Sequence, residues 1–385
     1  MLDRVARRVT QLLMRHKFAD WTSGALERFS DCVNFDQYPP GEPLRCNQWI
    51  ASSALQKAIR RSEVGIASRA ALALHTQDRA NAWRRLIAIA FEDVGPADIE
   101  VALQTVAAAT SLGWRASYGE DRAVLSIISK LATAPKDRSA DYLMWIAAEH
   151  PDQCETRAIC GRASVTDCLS MVTDLSRSLP DRAVAAWFCS GIDYPYQHRV
   201  GPGDLSGLAD AYCRLGASSD LVAATVLAAK RTRQPYAVLV PLVWLEVQHS
   251  GLAKVGDALV PPSGVVAGIP LYSLDEHTRL GKRAINTLAQ HNLSIRACLQ
   301  QYVPRRRWIA AGQHAAFYAE GSAVSRRLHW AQSRSLQALG IEAELSTAEV
   351  RPDGVEPLIE AIRRSLDQLN AIRTQLLMMV DADAG

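Results

Sequence analysis

The sequence predicts an all-α protein, on three observations. Apolar residues recur at helical spacing in window after window along the chain. Alternating strand patterns are absent except for a short extended pair around Gly264–Tyr272. With 48% apolar and 22% charged residues over 385 positions, the composition is that of a soluble globular protein with room for two or three domains. The longest near-continuous apolar run, Tyr236–Leu245, contains Pro241 and falls well short of the ~18–20 residues that cross a bilayer.

The elements follow in order. Leu2, Val5, Val9, Leu12 and Leu13 share a helical spacing, with Arg4, Arg7, Arg8, Arg15 and Lys17 largely on other faces. This reads as a basic surface helix. Asp3 and the lack of serine argue against an organelle presequence, and cytoplasmic residence is expected. The turn Tyr38-Pro39-Pro40-Gly41-Glu42-Pro43 closes this N-terminal segment, 1–46. Helices are predicted over 47–61, 63–75, 79–92, 97–112, 119–134 and 137–149, forming one helical domain, 47–150. A looser stretch, 150–163, leads to helices over 164–179, 181–190, 205–216, 218–230 and 235–250. With the long connections 190–207 and 251–272 these make a helical region, 151–272; loops of that length often carry function. Further helices are expected over 274–291, 305–319 and 321–339, a basic segment spanning 273–340, and over 356–379 within an acidic tail, 341–385.

Net charge is only +3, but its distribution is uneven. From Thr278 to Arg334 ten basic residues face one acid, Glu320, and from Ile341 to Gly385 nine acids face four arginines. Such asymmetry points to a polyanion-facing region beside an acidic one. The eight cysteines contain no CxxC pair, and Cys154, Cys160 and Cys168 have the wrong spacing for a zinc knuckle, so buried free thiols are expected. No P-loop, GxGxxG fingerprint, GxSxG elbow or HExxH helix occurs; Gly281-Lys282 is followed by Arg283 within a helical pattern. The adjacent pairs Glu92-Asp93 and Asp275-Glu276 would diverge on a regular helix, which argues against an acid–base dyad. No catalytic residue, metal or cofactor is expected.

One stretch is specific. Ser53-Ala54-Leu55-Gln56-Lys57-Ala58-Ile59-Arg60 is followed by Arg84-Arg85-Leu86 and Glu92-Asp93-Val94-Gly95-Pro96-Ala97-Asp98, and then by Ala134-Pro135-Lys136. In order and spacing this resembles the C-terminal region of the RarA/MgsA family of clamp-loader-like ATPases, whose pattern reads approximately SALxKSIR, RRLxxxAxEDIGLADP and APKS. The resemblance covers about 47–150. The family's ATPase module is missing here, and Pro96 and Ile99 depart from the pattern. The resemblance implies a collar-like helical domain that self-associates, a role in DNA replication or recombination repair, and partners among replication and repair proteins. Stand-alone proteins of this type look like accessory genes of plasmids and phages. Read physically, the same residues have mostly structural jobs. Ser53 and Gln56 fit a capping box, Gly95 a helix stop, and Asp98 the next N-cap. The Arg–Glu/Asp set among them (Arg60, Arg84, Arg85, Glu92 and Asp93) forms either an internal ion network or a partner-facing set, and Lys57, Pro135 and Lys136 are structural.

The second signal is the basic segment. Arg305-Arg306-Arg307-Trp308 and Arg326-Arg327-Leu328-His329-Trp330 set guanidinium groups beside indoles, with Phe317-Tyr318 between, and Arg279, Lys282 and Arg283 precede them. Arginines bind phosphates and exposed aromatic faces stack on unpaired bases, so DNA binding is expected here. The alternatives for the arginines are docking on the acidic tail around Glu356, Glu360 and Asp367, or a plain solvated face; for Trp308, a core anchor. Ser273 or Asp275 would cap the following helix, and His277 is a lone histidine with no partner in the pattern. The expected function is therefore a non-catalytic, oligomeric accessory protein of DNA metabolism. Its rivals are a subunit of a separately encoded clamp-loader-type ATPase and a nuclease or hydrolase built from the 190–207 and 261–279 loops.

Overall fold

The structure, a computed structural model, describes residues 21–34, 37, 41–193 and 199–382. The basic helix expected over 1–17, part of the proline turn and part of the 190–207 connection lie outside the described residues. The fold is all-α. A helix over 21–32 (α1) precedes α2 (Gln48–Arg60), α3 (Val64–Gln77), α4 (Arg79–Ile89), α5 (Ile99–Thr110), α6 (Leu112–Tyr118), α7 (Glu120–Thr133) and α8 (Ser139–Glu149). Next come α9 (Cys154–Cys160), α10 (Val165–Thr173), α11 (Leu179–Ser190), α12 (Leu205–Arg214), α13 (Ser219–Thr232) and α14 (Tyr236–Ser250). The last third holds α15 (Arg279–His291), α16 (Leu293–Tyr302), α17 (Trp308–Ala316), α18 (Ser333–Ser346), α19 (Val355–Arg363) and α20 (Leu366–Ala382). No described helix is long and apolar enough to cross a membrane.

Boundaries follow local chemistry. Asn47 caps α2 through Trp49 N and Ile50 N, so Ser53 lies inside the helix and the expected Ser53–Gln56 capping box is not formed. Asp98 does cap α5, accepting from Val101 N at 3.1 Å, and Gly95 at φ +46° stops the preceding turn, as their residue types suggest. Neither Ser273 nor Asp275 caps α15. Thr278 does, accepting from Gly281 N at 3.1 Å. A Cβ on Gly281 would lie 2.0 Å from the Asp275 carbonyl oxygen, so glycine serves close backbone approach there, not a phosphate.

One hydrophobic core runs without a break from α1 to α14, across the boundary expected at residue 150. A second gathers α15–α20, so 273–340 and 341–385 pack together rather than separately. Helices α8 and α18 join the two: a Cβ on Gly340 of α18 would lie 2.6 Å from Tyr142 Cβ on α8. The helix expected over 321–339 is a correction. Residues Arg326–His329 form a strand, β4, that pairs antiparallel with β1 (Lys254–Asp257), in register Lys254↔His329 to Asp257↔Arg326. Lys136 bridges to the other side of β4, with its N–H on Arg326 O and its carbonyl accepting from Leu328 N, both at 2.9 Å. The β2 (Val265–Val266) and β3 (Ile269–Pro270) hairpin is the extended pair foreseen near 264–272. Cysteines are free, but only Cys160, Cys168 and Cys189 are buried; Cys32, Cys154 and Cys213 are exposed.

Candidate functional site

Where the two cores meet, charge is buried in quantity. The helix of α4 does not end regularly: Ala90–Val94 forms a single π-turn. Its wider winding turns Glu92 and Asp93 to the same partner, where a regular helix would part them. Arg60 Nε lies 2.6 Å from Asp93 Oδ1 and its Nη2 2.7 Å from Glu92 Oε1. Its third arm donates to Gly321 O at 2.8 Å. Arg138 approaches the same carboxylates at 3.2 and 3.5 Å and holds Asp141 at 2.6 Å. Gln56 Nε2 completes Asp93 at 2.9 Å. The Phe317 ring packs against both guanidinium groups, its centroid 5.3 and 5.2 Å from their carbons. The internal-network reading of the Arg–Glu/Asp set thus describes these residues.

A second π-turn, Phe317–Gly321, is linked to the first through Arg60. Beside it Lys57 bonds Asp275, with Ser53 Oγ at 2.9 Å from the same ammonium. Burial alone would raise the Asp275 carboxyl, but Lys57 and His277 outweigh it and hold it below the usual carboxylate range. Glu320 pairs with Arg373 at 2.7 Å, and Arg373 also donates to Leu274 O. Glu276 and Glu344 converge on Nδ1 of His314, at 3.4 and 3.3 Å, and the Tyr318 hydroxyl donates to Glu344. Burial opposes charge on His314, yet the two glutamates outweigh it and raise the imidazole to about 10. Among the described residues this is the group able to hold a metal ion, where none was expected. His277, singled out from the sequence, is largely exposed beside it.

The remaining motif residues lie apart from this centre. Arg84 is exposed on Asn81, and Arg85 reaches only Gln56 Oε1, at 3.5 Å. Pro135 is half-buried and leads into the fully buried Lys136, whose ammonium donates to Ala132 O and Ala134 O.

The basic segment is divided among three places. Arg279, Lys282 and Arg283 lie on the exposed stripe of α15 with no ion pair among the described residues. Arg305 is likewise exposed and unpaired, while Arg306 and Arg307 hold Glu349 at 2.5 and 2.9 Å. The acidic partner is therefore Glu349, not Glu356, Glu360 or Asp367. Contacts Asn286–Gln313 and Ala289–Gly312 show that α15 and α17 run in opposite senses. The two basic groups thus sit at opposite ends of the pair, separated by up to the ~20 Å length of α15. Arg326 and Arg327 are on β4, donating to Thr133 O and Gln337.

The expected stacking platform is a further correction. Trp330 is 5% exposed and donates to Asp137 at 2.8 Å, and Phe317 and Tyr318 are buried. Trp308 is half-buried against the second core and donates to Val303 O at 3.0 Å, an anchor's geometry. No hydrogen bond or ion pair joins the 190–207 and 261–279 loops among the described residues.

Asp141, His314, Glu344 and Arg373 were not singled out from the sequence, Glu276 was named only in a carboxylate pair set aside as a dyad, and Glu320 only as the one acid of the basic segment. The available signal was a lone charge within an apolar window, as in Ala315-Ala316-Phe317-Tyr318-Ala319-Glu320. No protein-family model, curated protein or solved structure matches the chain.

Proposed function

We propose that the protein is a non-catalytic accessory factor that binds nucleic acid, DNA by preference, through the exposed face of α15. One observation carries this reading. Arg279, Lys282 and Arg283 occupy the first five positions of a helix that contains no acid. A helix N-terminus is the positive end of the macrodipole, where each cation is unfavourable by ~0.3–1 kcal/mol. Three unpaired cations there are relieved by a polyanion, whose phosphates neutralise them. Arg305 extends the surface toward the other end of α15. The RarA/MgsA-like motif supports placing the activity in DNA metabolism, and the burial of the aromatic residues supports backbone contact over base stacking.

The test is fluorescence anisotropy with single- and double-stranded oligonucleotides across a salt series. Each phosphate contact releases condensed counterion, so affinity should fall steeply with salt. Replacing Arg279, Lys282 and Arg283 together by alanine should weaken binding equally for unrelated sequences. It should also flatten the slope of log K against log salt by about 2–3 for duplex DNA. An unchanged slope and affinity in a folded triple variant would remove α15 as the interface.

A further inference from the structure

Glu276, His314 and Glu344 come from three separate segments: the turn before α15, helix α17 and helix α18. One donor atom from each lies within 4.8 Å of the other two. We infer that these three side chains bind a divalent transition-metal ion of the Zn2+ class.

Distance is the first argument. The Nδ1 atom of His314 lies 3.4 Å from Glu276 Oε2 and 3.3 Å from Glu344 Oε1. Tetrahedral zinc with bonds of ~2.0–2.2 Å sets its donor atoms about 3.3–3.6 Å apart. A charge-assisted hydrogen bond would instead draw nitrogen and oxygen to ~2.7–2.9 Å. Accordingly Nδ1 is buried and has no hydrogen-bond partner.

Glu276 is the second. Its side chain is 9% exposed, and the cations near it are His314 at 3.4 Å, His277 at 3.8 Å and, further off, Lys57. A buried carboxylate needs a cation beside it, and this one is aimed at the point where the other two donors converge. Glu344 is oriented for the same point. The Tyr318 hydroxyl occupies its Oε2, leaving Oε1 free, as groups behind metal ligands commonly do. Two carboxylates and a neutral imidazole balance a dication. One nitrogen with two oxygens suits zinc or manganese better than calcium, which takes six to eight oxygens. His314 is 26% exposed, so the site lies close to the protein surface. Bound there, it would tie α17 and α18 to the turn that carries Asp275, the partner of Lys57.

The alternative occupant is a proton on His314. The full chain, stripped with EDTA and returned to chelator-free buffer at neutral pH, separates the two by calorimetric titration with ZnCl2 and MnCl2. Because the eight cysteines are free, Co2+ absorption accompanies it to report the donor atoms. We expect one ion per chain and a cobalt spectrum without a thiolate charge-transfer band. Glu276→Gln, close to isosteric, should lower affinity at least ~100-fold, and Tyr318→Phe by ~10–100-fold. His314→Ala, at a partly exposed position, serves if Glu276→Gln does not fold. Absence of stoichiometric binding, binding unaltered by these substitutions, or a thiolate band would each overturn the inference.

Discussion

Lys136 is fully buried, yet its ammonium donates to two backbone carbonyls and to no carboxylate. Burial is the main reason its pKa falls to about 8, against partial support from Asp93. The sign of the consequence follows. Between about pH 8 and the ordinary lysine value the unfolded chain holds the proton more tightly, so stability rises with pH across that window. A shift of this size corresponds to roughly 3 kcal/mol. Lys136→Met should therefore lose this alkaline gain; the check is urea unfolding of parent and variant at pH 7.5 and 10. At the residue scale much was legible. Arg60, Glu92 and Asp93 stand in motifs whose charges sit beside apolar helical positions, and an internal network was one of the two readings that pattern allowed. His314 was not legible, because Glu276 and Glu344 lie 38 and 30 residues from it and only the tertiary fold joins them.

Among elements, α8 and α18 make a contact that only glycine permits. Placing alanine at Gly340 offers ~1 kcal/mol of helix propensity but sets a methyl group 2.6 Å from Tyr142 Cβ. Overpacking of that kind costs ~1–3 kcal/mol, and the three nearest atoms, Tyr142 Cβ, Cα and O, cannot rotate away. Gly340→Ala should lose stability in equilibrium unfolding; a gain would mean that the helices can separate. Most helices were readable because their periodicity is local. The strand β4 was not: Arg326–His329 is flanked by helical spacing and becomes extended only because β1 and Lys136 supply its hydrogen bonds. The π-turns were also hidden. An extra residue in a turn leaves the surrounding apolar pattern intact, yet it is what brings Glu92 and Asp93 onto one guanidinium.

For the whole molecule, the bonds that tie the first half of the chain to its last third are buried and numerous. Lys57–Asp275, Arg60–Gly321 O, Trp330–Asp137 and Ser325 N–Arg60 O all cross from the first half of the chain to the last third. Removing one partner of such a buried pair costs ~3–5 kcal/mol, since the other is left charged and dry. The protein should therefore unfold in one calorimetric transition with equal calorimetric and van't Hoff enthalpies. Arg60→Ala, which frees Glu92, Asp93 and the Gly321 carbonyl together, should split the endotherm in two. Two transitions in the parent protein would show that the cores are stable independently.

The bond from Arg60 to Gly321 also orders events during synthesis. The two residues are 261 positions apart. At ~5–20 residues per second, Gly321 is made ~13–50 s after Arg60. Throughout that delay the guanidinium lacks its carbonyl and the Phe317 ring, and Asp137 lacks the Trp330 indole, so these groups stay hydrated. The nascent N-terminal half is thus obliged to wait with a wet seam. A chain that stops before Trp330 keeps that seam open to water.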